Sequence, residues 1–129
     1  MIFKPAPEVK ERINRIVRLL GWDYIDLNKV IAFESRGTKS NYVHARCWSF
    51  PRIWQIALNM EARYIIEVVG ERYEKLNDEN KDKLLIHELL HIPKTFSGAL
   101  RPHKGYINNA IINRYYNELK QKENSQGSL

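Results

Sequence analysis

The run His87-Glu88-Leu89-Leu90-His91 constrains this chain more than any other feature, because its spacing serves chemistry in one backbone conformation. Residues four apart lie one turn above each other on a helical face, so His87 and His91 can aim both imidazoles at a single metal ion. The flanking residues supply that helix. Asn77 or Asp78 can cap its start, Asp78 and Glu79 complement its positive end, and Pro93 closes it near Ile92. Glu88 starts beside the first ligand, and its longer side chain reaches water at the metal without binding the ion, the place of a general base. With four histidines in 129 residues, the pattern H-E-x-x-H arises by chance about once in a hundred such sequences. The ordinary alternative is a helix with two partly buried histidines paired to neighbours.

A catalytic zinc site takes about three protein ligands and keeps one position open. Between His91 and Glu118 the chain has no Asp, Glu or Cys, which leaves His103 as the ligand type available in the following loop. Pro93, Gly98 and Pro102 let that loop turn back toward the helix. The expected set is therefore one zinc ion per chain on His87, His91 and His103, with Glu88 as base. An oxyanion formed during hydrolysis needs a donor, and Tyr106, His44 and Arg101 are the candidates. Each also has an ordinary reading: a packed aromatic at a helix start, a strand-surface residue and a loop cation.

Composition narrows the class of molecule. A length of 129 residues suits one domain, assigned to 1–120, and the polar stretch 121–129 reads as a flexible tail. With 43% hydrophobic and 28% charged residues the chain can bury a core. No apolar run approaches the roughly 18 residues that span a bilayer, and the charged, proline-containing start is unlike a signal peptide, so no membrane association and a cytoplasmic location are expected. The lone Cys47 excludes internal disulfides and a multi-thiolate zinc site. A net charge of +6, with Lys94, Arg101, Lys104 and Arg114 following the motif, permits contact with nucleic acid through a basic surface, but no run of like charges demands it.

The hydrophobic pattern predicts an α+β fold. Val9, Ile13, Ile16, Val17 and Leu20 form a helical stripe after Pro7, ended by Gly21, with a basic face turned to water. Lys29–Glu34 reads as a strand that turns at Ser35–Thr38 into a second, antiparallel strand over Tyr42–Phe50. Arg63–Val69 reads as a third strand, giving a short, mainly antiparallel three-stranded sheet. A short helix follows Pro51, and Trp48, Phe50 and Trp54 read as core or hydrophobic-wall residues. The last helix spans Tyr106–Lys120.

The run HELLHIPKTFSGALRPH, together with PRIWQIAL at 51–58 and RYIIEVV at 63–69, resembles the phage and archaeal metallopeptidase family, small zincin-type proteins related in outline to SprT-like peptidases. The resemblance covers residues 25–116. It implies a small zincin-like domain, peptide-bond hydrolysis, zinc on His87, His91 and His103, and Glu88 as catalytic base. Lys94 stands where the metzincin signature requires glycine, so that extended motif does not apply. The resemblance further implies a polypeptide substrate added to an edge strand beside the motif helix, either RYIIEVV or Tyr42–Phe50. Two other functions fit the residues: a nucleic-acid-associated metal-binding protein, and a non-catalytic zincin-like binding domain.

Overall fold

A computed structural model of the chain describes residues 1–127. Its first helix, α1 (Pro7–Leu20), buries Val9, Ile13, Ile16, Val17 and Leu20, the predicted stripe. Gly21 ends it in the left-handed conformation, φ 67°. There the Gly21 and Trp22 amides donate to the carbonyls of Arg18 and Val17, a pairing that glycine permits at no steric cost.

The sheet has four strands, β1 (Ile2–Pro5), β2 (Val30–Arg36), β3 (Ala45–Trp48) and β4 (Tyr64–Val69), in the order β1-β2-β4-β3. It is mixed: β1 is antiparallel to β2, β2 parallel to β4, and β3 antiparallel to β4. This corrects the three-stranded, mainly antiparallel expectation in two ways. β1 is a fourth strand, whose four exposed residues and terminal proline suit an edge, and a four-residue segment gives little periodicity to read. β2 and β3 do not form a hairpin, because the loop between them is fastened elsewhere. Arg72, in the short helix α3 (Gly70–Tyr73), donates to the carbonyls of Ser40 and Val43. The Gly37 amide donates to Glu71 at 3.0 Å. Thus held, the chain reaches β4 from its other side.

β4 is an internal strand of the sheet, between β2 and β3. Tyr64, Ile66 and Val68 enter the main core while Glu67 and Val69 are buried on the opposite face. Ser35 Oγ, Trp48 Nε1 and Arg46 Nη1 donate to the Glu67 carboxylate, which is how that charge is accommodated in a strand buried on both faces.

Between β3 and β4 lies α2 (Arg52–Leu58), in which the buried residue is Gln55, while Ile53, Trp54, Ile56 and Leu58 are exposed. Trp48 is also about half exposed, at 49%, so the core reading of Trp48 and Trp54 is corrected. The reason is a polar anchor: Gln55 Nε2 donates to the carbonyls of Phe50 and Ser97, both at 2.8 Å, and this fixes which side of α2 turns inward.

The motif helix α4 (Asp78–Leu89) starts at Asn77, whose side chain accepts the Asn80 amide at 2.9 Å. It packs with α1, β3 and α5 (Asn109–Gly127). Helix α5 continues through the segment expected to be a flexible tail, up to Gly127, and residues 128–129 lie outside the described residues. Its extension has a cause in charge pairing: Arg15 Nε donates to Glu123 at 2.7 Å. Arg12 and Arg15 also converge on buried Asp82 of α4, at 2.9 and 2.6 Å, so part of the basic face of α1 is internal wiring. Among the described residues no helix is long and apolar enough to cross a membrane.

Candidate metal centre

His87 lies in the last turn of α4, and His91 lies just beyond it, where the helix tightens. The amides of His91 and Ile92 donate three residues back, to Glu88 and Leu89, at 3.1 and 3.0 Å. This is the closing turn expected of a helix that meets Pro93. The motif is therefore split between α-helix and final turn, yet the two imidazoles remain neighbours, with ring centroids 5.4 Å apart.

The returning loop brings the third histidine. His103 lies 5.1 Å from His87 and 4.7 Å from His91 between ring centroids. One ligand atom from each of the three histidines falls within 4.8 Å of the others. His87 Nε2 and His103 Nε2 are 3.1 Å apart. Metal–nitrogen bonds of about 2.0–2.1 Å in a tetrahedron separate ligand nitrogens by roughly 3.3 Å, so the imidazoles fit an ion with little movement.

The orientation of His91 is fixed through its other ring nitrogen. Nδ1 meets the Arg101 carbonyl at 2.8 Å, and the Arg101 amide donates to the His91 carbonyl at 2.7 Å. With Nδ1 donating, Nε2 keeps its lone pair for a metal. His103 is held by its own carbonyl, which accepts the amides of Tyr106 and Ile107 at 3.1 and 2.8 Å. Further back, Tyr64 Oη donates to Ala99 O and accepts from Gly98 N, at 2.7 and 2.8 Å. Gly98 has φ 94°, and a Cβ there would stand 2.3 Å from the Phe50 carbonyl oxygen. The loop carrying His103 is thus braced by β4 and α2. Sequence reading missed Tyr64, Gln55 and the Arg101 backbone in this role, since nothing in local spacing signals partners 35 or 42 residues away.

Protonation favours ligation. Burial, reinforced by His91 and His103, pushes the His87 pKa down to about 4. Burial lowers that of His91 as well. Neutral imidazoles are the ligating form. Glu88 is buried at 6% exposure, and this desolvation pushes its pKa up to about 7, opposed in part by a hydrogen bond from the Cys47 backbone. Its Oε2 lies 3.9 Å from His87 Nε2. A carboxylate with such a pKa is suited to moving protons near neutrality. The Cys47 thiol, pushed up to about 12 by burial, stays protonated.

The three histidines and Glu88 line a cleft of about 330 Å³ whose opposite wall is β3, from Ala45 to Trp48, with Leu100 at one end. Of the three oxyanion candidates, none lines this cleft. The Arg101 guanidinium stacks over the Tyr24 and Tyr106 rings, 5.9 and 5.2 Å from their centroids. His44 lines a neighbouring hollow instead.

The sequence matches, over residues 1–124, a family described as "Putative phage metallopeptidase". The chain belongs to that family. The match extends beyond 25–116 to include β1, α1 and most of α5, so the whole scaffold around the histidines falls within the phage metallopeptidase family pattern. No curated protein and no solved structure matches the chain. The family description implies a metal, and the three histidines could hold one.

Proposed function

We propose that this protein is a zinc-dependent peptidase of zincin-like design. The observation that carries the reading is the convergence of three imidazoles beside a buried carboxylate, in a cleft walled by a free strand edge. Zinc is the ion that three histidine nitrogens with an open fourth position suit best, and when bound it supplies a Lewis acid that polarises a carbonyl and acidifies water. His87, His91 and His103 would hold it. Glu88 takes the proton of the attacking water on its carboxylate and passes it to the departing amine nitrogen. Burial serves both transfers, since desolvation raises the proton affinity of the Glu88 carboxylate above that of an exposed one.

A polypeptide enters by strand addition. β4 is flanked by β2 and β3 and has no free edge, whereas β3 ends the sheet and faces the cleft. Backbone hydrogen bonds to β3 would align the scissile bond beside Glu88 and give binding that depends little on sequence. The test is hydrolysis of an unfolded protein by zinc-loaded wild type and Glu88→Gln. Cleavage should fall by at least about a hundredfold in the variant, as for loss of a general base, while zinc content is retained. Equal cleavage by the two would remove Glu88 from the reaction.

A further inference from the structure

A second hollow, of about 300 Å³, adjoins the cleft, and His87 is the residue common to both. His44, which lines the hollow, directly precedes Ala45 of β3, which lines the cleft. A peptide laid along β3 from Trp48 toward Ala45 therefore passes the histidines and arrives over the hollow. A side chain close to the scissile bond of such a peptide would enter it.

The lining is divided. Leu76, Leu84 and Ile112 make an apolar floor, and Asn80, Lys83, Asn109 and Asn113 make a polar rim. Lys83 carries the one full charge in that lining, and no acid is present in it. Its Nζ is held by exposed Glu79 at 2.9 Å and lies 5.1 Å from the Tyr116 ring centroid. A ligand carboxylate would share the ammonium with Glu79, a partner it can compete with because an exposed pair of this kind is worth little by itself. The side-chain amide groups of Asn80, Asn109 and Asn113 make no hydrogen bond among the described residues, leaving their side-chain N–H donors to a ligand or to water. An apolar floor beneath a cationic, donor-rich rim matches a group with a short aliphatic stem and an anionic head.

We infer that this hollow is a specificity subsite that takes a carboxylate on a short aliphatic stem, as in a glutamate residue beside the scissile bond, with Lys83 as the residue that selects charge. The inference rests on the peptidase reading above. The same carboxylate chemistry could be presented by a chain's C-terminus, and the place of cleavage separates the two sources.

The experiment offers a mixture of proteome-derived peptides to zinc-loaded wild type and Lys83→Met and maps the cut sites by mass spectrometry. Wild type should favour glutamate over glutamine at one position within two residues of the cut by about two- to fivefold, the size expected of one solvated ion pair. In Lys83→Met the ratio should fall to about one. Cuts throughout the peptides assign the carboxylate to a side chain; cuts confined to the last two residues assign it to the chain end. Leucine or glutamine cut as readily as glutamate in wild type, or a glutamate preference unchanged in Lys83→Met, overturns the inference.

A binding measurement decides the hollow independently of catalysis. N-acetylglutamate amide should shift the side-chain amide resonances of Asn80, Asn109 and Asn113 more than N-acetylglutamine amide does, and equal shifts overturn the inference. If the zinc-loaded protein cuts nothing, the peptidase reading falls, while this titration still decides what the hollow binds.

Discussion

Glu88 is an acid that the fold holds against its own ionisation. Its carboxyl pKa rises from the ordinary value near 4.5 to about 7, mainly because burial denies water to the charged form. The sign of the stability effect follows from a folded-state pKa above the unfolded one. The stability conferred by the protonated carboxyl is fully present below about pH 4.5 and is lost as pH rises through 7. Glu88→Gln removes that loss, so the metal-free variant should be more stable than metal-free wild type at pH 8, on the order of 3 kcal/mol, with the gap closing toward pH 4.5. Urea titrations at both pH values check this, and a gap independent of pH would contradict it. His87, Glu88 and His91 were legible in the sequence because a helix converts spacing directly into proximity. His103 was legible by elimination, from a stretch without other ligand types. The oxyanion candidates were chosen by closeness in sequence, which says little about where a side chain points: Arg101 acts on His91 through its backbone while its guanidinium stacks on tyrosines.

At the scale of elements, the centre depends on a loop braced from outside. The Tyr64 hydroxyl, in a side chain only 1% exposed, pairs with both Gly98 and Ala99. Tyr64→Phe leaves the buried Gly98 amide without its partner and should cost about 1–3 kcal/mol of unfolding free energy. Because the braced loop carries His103, the variant should also release metal faster, which chelator competition would read. Unchanged release with lowered stability would confine Tyr64 to the core. A second junction lies at Asp82, where α1 and α5 are tied to α4 through Arg12, Arg15 and Glu123. Asp82→Ala leaves two guanidinium groups without their buried partner and should cost about 3 kcal/mol, discounted for the partial exposure of Arg15. A loss below 0.5 kcal/mol, the scale of ordinary surface pairs, would show that solvent replaces Asp82 freely.

Helices α1 and α4 were readable because their faces, cap and stops lie within the elements themselves. Strand pairing was not, since β2 and β3 are kept apart by Arg72 and Glu71, more than 25 residues beyond the loop they hold. Helix α2 defeated the rule that apolar residues face inward, because Gln55 is the side chain that its neighbours can satisfy.

Taken whole, the molecule places its candidate chemistry where a helix end, a returning loop and a sheet edge meet. α4 supplies His87 and Glu88, its closing turn supplies His91, the loop supplies His103, and β3 supplies the facing wall. An ion joining these parts would bind the native arrangement and not the unfolded chain, so zinc should raise the unfolding temperature in proportion to its binding free energy. The central claim is that the three imidazoles form a single metal site. Its most direct test is elemental mass spectrometry on wild type and His103→Ala, purified side by side without added metal. The account predicts about one zinc per wild-type chain, as for a three-ligand site, and substantial loss of zinc from the variant. Wild type that remains free of metal even after zinc is offered would contradict it.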